Sequence, residues 1–280
     1  MGGSRSIDDP DPALVEFIMP WLSADQESTI SMPARARRAA IFKALGRREV
    51  AVLEIGAADT PTYRKSEDAV YYADFCTAEE LKRRFARAPN RSPARVVDVD
   101  YVLRNRDLPT ATGRKFDLVI ANHVIEHVPD VVGWLKQVAA IVPSPGYLFL
   151  SVPDRRYTFD YFRSETDAVE MVRAHEEGLA MPSQYQIARA LYYTVNVDRK
   201  AIWAGNAPPR PAARMSFSEA LTRSKALAQT YNDVHCWIFT QDGFRRAVDD
   251  LSGAGLIDWK LTDFEPVARD QNEFHVMLRR

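Results

Sequence analysis

The feature that most constrains this chain is a series of short apolar runs separated by stretches of helical period. Residues 50–56 (VAVLEIG) are too few for a helix and too continuously apolar for a half-exposed strand. A strand buried on both faces reads this way. Similar runs stand at 69–75, 94–102, 116–121 and 147–152. Between them, 79–86 and 131–141 repeat at helical spacing, the second placing Val131, Trp134, Leu135, Val138 and Ile141 on one side. Strands alternating with helices predict an α/β fold built on a doubly wound parallel sheet. The alternation stops past Pro153; then 240–251 reads as helix, and 258–266 and 273–278 as two closing strands.

This pattern divides the chain into a helical preface (1–48), a core (49–153 and 236–280) and an insertion (154–235) broken by the loop sequence NAPPRP. In the preface, Leu14, Phe17, Ile18, Trp21 and Leu22 recur helically, and Ile41, Phe42 and Leu45 close a second segment stopped by Gly46. Arg35, Arg37, Arg38, Lys43, Arg47 and Arg48 make that segment basic, which reads as a solvated face. With 37 basic against 38 acidic side chains, no global field favours nucleic acid or a membrane surface. Two cysteines make no disulfide framework, so a reducing cytoplasm is expected. No run approaches the roughly 18 apolar residues of a membrane span, and no signal-peptide core is visible. The opening MGGSRS fits a loose myristoylation pattern, with a flexible leader as the expected reading. Monomer and homodimer both stay open.

Ligands of open α/β sheets sit beyond the carboxyl ends of the strands, where strand order reverses. The first run ends LEIGAADT, with Gly56, Ala57 and Ala58 where a dinucleotide fold needs G-x-G-x-x-G. A pyrophosphate is poorly served; a nucleoside ligand without phosphates remains admissible. S-adenosylmethionine is such a ligand. Its ammonium needs an acid, for which Glu54 stands at the strand end, and its ribose another, for which Asp74 lies 20 residues on. Asp100, closing the third run, and Asn122, after the fourth, complete the cofactor-side candidates. Plain strand-end caps are the alternative for Glu54 and Asp74.

On these residues the segment 50–152 resembles the class I S-adenosylmethionine-dependent methyltransferases: VLEIGAADT as first motif, YYADF as second, FDLVIANHVIEHVPD as fourth strand and loop. The resemblance implies a Rossmann-like sheet with an antiparallel last strand, although the glycine-rich first motif is reduced to Gly56. The phrases EIGAADTPT, HVIEHVPD, SVPDRRYTFDYFR, DVHCWIFT and FHVMLRR resemble methyltransferases found beside bacterial glycosyltransferases, the mycobacterial methylmannose polysaccharide type among them. That implies O-methylation of a saccharide.

HVIEH, residues 123–127, also matches the inverted zinc-peptidase signature H-x-x-E-H. A strand runs straight into it, however, and Pro129-Asp130 begins a new helix, so only one turn is available and the protease reading fails. One turn puts His123, Glu126 and His127 on a shared face. The ubiquinone-pathway O-methyltransferases and the small-RNA 2′-O-methyltransferases are similar here. Both carry an acid-x-x-Glu-His segment that binds magnesium, and the RNA enzymes add a distant histidine. By that resemblance His123, Glu126, His127 and the distant His235 are the expected metal ligands, for magnesium or, given the imidazoles, manganese or zinc. A divalent ion would orient a hydroxyl and lower its pKa. Metal-free base catalysis by His127 or His123, and an ordinary loop of the fold, stay open.

The insertion is expected to hold the acceptor. Asp154, Arg155, Arg156, Tyr157, Asp160, Tyr161 and Arg163 follow the fifth run, and Asp233 and Trp237 return to the same edge, offering planar polar groups and aromatic faces. A salt-bridge network is the alternative, and for Trp237 simple packing. His175 and His275 read as structural. The expected protein is thus an S-adenosylmethionine-dependent O-methyltransferase. The rivals are a metal-independent small-molecule or RNA methyltransferase, and a non-catalytic binding module of the same fold.

Overall fold

The computed structural model describes residues 34–46, 50–104, 106–210 and 215–280. The expected helix around Leu14 to Leu22, together with Arg47 and Arg48, lies outside them.

One sheet of seven strands carries the molecule: β1 (Val52–Ile55), β2 (Val70–Asp74), β3 (Tyr101–Val102), β4 (Leu118–Asn122), β5 (Tyr147–Pro153), β6 (Lys260–Glu265) and β7 (Glu273–Arg279). The order is β3-β2-β1-β4-β5-β7-β6. β1 to β5 pair in parallel, while β7 runs antiparallel to both β5 and β6. This is the doubly wound sheet with an antiparallel last strand that the apolar runs predict.

Side chains of a strand alternate between faces, and the core divides accordingly. Leu53, Ile55, Val119, Ala121, Leu148 and Leu150 face one layer, shared with α4 (Val131–Ile141) and α9 (Gln241–Gly253). Val52, Leu118, Ile120 and Phe149 face the other, packed with Ala40 and Ile41 of α1 (Ala34–Leu45). Burial of each such leucine or isoleucine contributes roughly 1.5–3 kcal/mol. As expected, α1 stops at Gly46, whose φ of +71° suits a residue without Cβ.

The third run gives much less strand than its 94–102 span suggests. Pro93–Arg95 forms a 3-10 turn, and the ladder with β2 covers only Tyr101 and Val102. The remaining helices are α2 (Ala78–Phe85), α3 (Leu108–Thr112), α5 (Ala168–Glu176), α6 (Gln184–Tyr193), α7 (Arg199–Trp203) and α8 (Phe217–Leu227). The last four lie between β5 and α9. The ends of that excursion are pinned together: Asp154 bridges Phe239, and the Ile238 amide donates to Thr166 Oγ1 at 3.0 Å. No helix among the described residues is long and apolar enough to cross a membrane.

Candidate active site

Strand order reverses between β1 and β4, so the loops leaving their carboxyl ends frame the natural ligand crevice. Gly56 ends β1 at φ +68°, and a Cβ there would sit 2.8 Å from Val124 Cγ2. Only glycine lets the β1 turn approach the β4 loop this closely. Ala57 is buried behind it, and Ala58 holds a left-handed φ of +49°.

The expected cofactor acids divide. Glu54 is fully buried and accepts from the backbone amides of Thr62 (2.8 Å) and Tyr63 (3.1 Å) and from Asn122 Nδ2 (3.2 Å). Burial pushes its pKa up. Asn122 also donates to Thr62 Oγ1 and accepts from Ser151 Oγ. These two side chains lock the β1–β2 loop onto β4 and β5. Both cofactor-side candidates, Glu54 and Asn122, are thus engaged by protein atoms. Asp100 likewise binds protein, accepting from the Tyr72 amide (2.8 Å) and from Lys65 Nζ (2.6 Å). Asp74 stays at the edge of the crevice, with Oδ1 accepting from the Cys76 amide at 3.0 Å. Burial first, and repulsion from Asp233 among the lesser causes, raise its pKa. The cofactor edge and the 233–237 segment are therefore electrostatic neighbours.

Past β4 the chain turns sharply. His123 takes φ +52°, and Ile125–His127 form a single 3-10 turn ended before the N-cap Asp130 of α4. The amides of Cys236 and Trp237 donate to the Glu126 carbonyl at 2.7 and 3.2 Å. This backbone contact carries His235 to the β4 loop from 109 residues away along the chain, the separation of His127 and Cys236.

Glu126, His127 and His235 converge there, with potential ligand atoms all within 4.8 Å of one another. The two rings stand edge to face, their centroids 4.6 Å apart. Each ring has an acid at its far nitrogen. His127 Nδ1 lies 2.8 Å from Asp233 Oδ1, and His235 Nδ1 lies 2.6 Å from Asp160 Oδ2. Asp160 is itself fixed by Arg163 Nη1 at 2.8 Å, and Arg163 Nη2 donates to the His235 carbonyl. The Nε2 atoms are left toward Glu126, His127 Nε2 at 3.9 Å. Glu126 is fully buried, and neither of its oxygens has a hydrogen-bond partner.

Electrostatics bind the group together. Burial works against charge on His127, but Asp233, Glu126 and Asp160 carry its pKa to about 9. Burial opposes ionisation of Asp160 too, yet His235 and Arg163 hold its pKa near about 2. Glu126 is likewise pulled below the usual carboxylate range by His123, His127 and His235, against its burial.

His123 stands beside this trio rather than in it. Its Nδ1 is 3.4 Å from Glu126 and its Nε2 is 2.5 Å from Glu273. Burial resists its charge, but these two carboxylates raise its pKa to about 9. The ligand atoms that converge within 4.8 Å belong to Glu126, His127 and His235, so His123 stands outside the group among the described residues. Glu273 is fully buried, bound in bidentate fashion by Arg37 (2.8 and 3.1 Å), and 3.1 Å from His275 Nε2. The sequence reading gave no role to Glu273 or to the Arg37 pairing. Arg37 stands in a basic stretch and Glu273 begins an apolar strand, and no local pattern joins residues 236 positions apart.

The expected acceptor residues are mostly structural. Asp154 is fully buried and accepts from Arg156 Nε and Nη2 and from the Gln241 amide. Arg155 Nη1 donates to the Tyr161 carbonyl at 2.6 Å. Trp237 is buried with Nε1 donating to the Val128 carbonyl at 2.5 Å, so it packs and offers no sugar platform. Asp160 and Arg163 are buried in the His235 support, and Asp233 supports His127. Tyr157 and Tyr161 are half-buried, Tyr157 stacked parallel on Trp203 at 4.3 Å and Tyr161 edge to face with Phe162. His175 pairs with Asp130 at 2.9 Å and His275 lies buried between Glu265 and Glu273, which are structural positions.

The reversal of strand order between β1 and β4, with Glu126, His127 and His235 converging on the β4 loop, defines a class of α/β folds and not one chemistry. The comparisons narrow it. Residues 32–251 match the family described as methyltransferase domain, and the chain belongs to that family. A curated relative, the ubiquinone biosynthesis O-methyltransferase of Coxiella burnetii, is 27% identical over 70 residues. The match covers 25% of this chain and spans 30% of the relative's length. Among solved structures, the 1,6-didemethyltoxoflavin-N1-methyltransferase of Burkholderia thailandensis aligns over 100% of this chain and 93% of its own (15% identity, TM-score 0.46). A Rhodobacter sphaeroides protein described as a zinc-dependent alcohol dehydrogenase aligns over 98% and 100% (14% identity, TM-score 0.48). At such scores neither bears on chemistry.

Proposed function

We propose that this protein is an S-adenosylmethionine-dependent O-methyltransferase acting on a saccharide hydroxyl, with a divalent cation held by Glu126, His127 and His235. The observation that carries the metal is Glu126: a fully buried carboxylate whose oxygens accept no hydrogen bond, paired only with imidazoles, facing a His235 bound by Asp160 and a His127 whose Nδ1 lies 2.8 Å from Asp233. Buried charge is normally paired or coordinates a metal, and carboxylate-supported histidines are the usual surroundings of metal ligands. Two imidazoles and one carboxylate suit manganese, iron or zinc better than magnesium.

When bound, such a cation supplies Lewis acidity that makes a hydroxyl easier to deprotonate. The chain's own residues do the rest. Gly56 lets the β1 turn close against Val124 of the β4 loop, and Asp74 is the remaining candidate for the ribose of the adenosyl ligand. Asp160 binds His235 through Nδ1 and Asp233 stands beside His127 Nδ1, with His127 Nε2 toward Glu126. His123, clamped between Glu126 and Glu273, fixes the approach of the Glu126 carboxylate. The saccharide is supported by the resemblance of the 151–163 and 233–240 segments and by the Tyr157–Trp203 face.

The test is turnover, read as S-adenosylhomocysteine release with a panel of hydroxylated acceptors, before and after exhaustive chelation. Loss on chelation and recovery with Mn²⁺ or Zn²⁺ support the proposal; full activity in metal-free protein overturns it.

A further inference from the structure

We infer that Arg199 forms a subsite for an anionic group, a carboxylate or a phosphate, carried by the acceptor. This deepens the O-methyltransferase reading and rests on it. Arg199 opens α7, and Trp203 lies one turn further on the same face. Trp203 is fixed twice, by its stack on Tyr157 and by Nε1 donating to the Gln271 carbonyl at 3.0 Å. That face of α7 therefore lies over the turn at residues 270–272, which leads directly into Glu273 and hence to His123.

The polar groups gathered here are unsatisfied. Arg199 Nε, Gln271 Oε1 and Asn272 Oδ1 are all buried atoms without a hydrogen-bond partner. Among the described residues Arg199 makes no ion pair; Asp270 and Glu273 influence it electrostatically without meeting it, and Glu273 is already held by Arg37. Every other described arginine of the insertion that lies near the cluster has a fixed partner: Arg155 the Tyr161 carbonyl, Arg156 Asp154, Arg163 Asp160. A half-buried guanidinium with an open fork matches the geometry of a carboxylate or phosphate. On the 270–272 turn that Trp203 holds against this helix, Gln271 Oε1 and Asn272 Oδ1 are acceptors suited to hydroxyl donors on the same ligand. Anion and hydroxyls together describe a sugar acid or a sugar phosphate, delivered to the rim of the Glu126 cluster.

The experiment is calorimetric titration of full-length protein, saturated with S-adenosylhomocysteine, with glucuronate, glucose 6-phosphate and glucose. At least one anionic probe should bind ten times more tightly than glucose or better; which of the two does so separates carboxylate from phosphate. Arg199→Gln should erase the preference and Arg199→Lys should retain part of it, both with unchanged affinity for S-adenosylhomocysteine. Equal binding of all three probes, no binding of either anion, or the same preference in Arg199→Gln overturns the inference. Binding is read without methyl transfer. A protein that keeps the preference but methylates no hydroxyl would therefore contradict the proposed function and leave this subsite standing.

Discussion

Two buried polar groups flank the crevice, and they are built on opposite rules. In the scaffold group Glu54, Asn122 and Asp154 have their polar atoms matched to amides, hydroxyls or a guanidinium. In the cluster at the β4 loop, Glu126 is equally buried and has no such match. A satisfied buried acid holds loops together; an unsatisfied one among oriented imidazoles is held ready for something else. The difference teaches that sequence position at a strand end does not distinguish a ligand-binding acid from a loop-fastening one. Its hydrogen-bond partners do.

The strongest way to break this contrast is to alter Glu126. Glu126→Gln should lower turnover by more than about 10²-fold, beyond the 10–100-fold expected for an outer-shell change, while S-adenosylhomocysteine still binds by calorimetry. Wild-type turnover in this variant would make Glu126 another scaffold acid. Asp154→Ala should do the reverse. It strands Arg156 and the Gln241 amide and should remove about 3 kcal/mol of stability in a denaturant titration, with kcat/KM nearly unchanged well below Tm. Asp160→Asn falls between. It should weaken metal affinity about 10–100-fold, because the amide no longer fixes His235 in one tautomer.

These substitutions also mark what the sequence could disclose. The sheet, the helices and the HVIEH turn follow from period and spacing, so Glu126, His127 and the distant His235 were nameable in advance. Asp160 and Asp233 stood out as chemistry-bearing residues, but their partners lie 75 and 106 positions away, and only the fold shows them to be ring orienters. His123 satisfied a helical-face argument that the structure breaks: its left-handed φ and the Glu273 carboxylate turn it aside. Glu273, Arg37 and Arg199 carried no local signal at all. The third run misled because Pro93 and the acids that follow it prevent a continuous ladder.

Acid–base behaviour sharpens the contrast further. His123 and His127 have folded pKa values raised to about 9 from 6.5. Their pairing therefore stabilises the chelated protein fully below about pH 6.5 and is lost as pH rises through 9. Asp160, depressed to about 2 from 3.8, contributes above about pH 4 and loses its contribution as pH falls through 2. Thermal melts of chelated protein should decline on both sides, the alkaline decline running between about pH 6.5 and 9. A flat alkaline limb would contradict the pairing of His123 with Glu273. The smallest effect belongs to Ala58→Gly. Relief of a left-handed alanine (about 1–2 kcal/mol) is offset by added chain entropy (about 0.4–1 kcal/mol), leaving a Tm gain of at most a few degrees. A clear loss of Tm would show that the Ala58 methyl, not its backbone angle, matters.

Pulsed electron paramagnetic resonance of the chelated protein reloaded with Mn²⁺ tests the central claim most directly. The account predicts one tightly held ion per chain with couplings from two imidazole nitrogens, one of which disappears in His127→Ala and one in His235→Ala, while His123→Ala keeps both. A spectrum of hydrated Mn²⁺ without nitrogen coupling, or one unchanged in both of those variants, would contradict it.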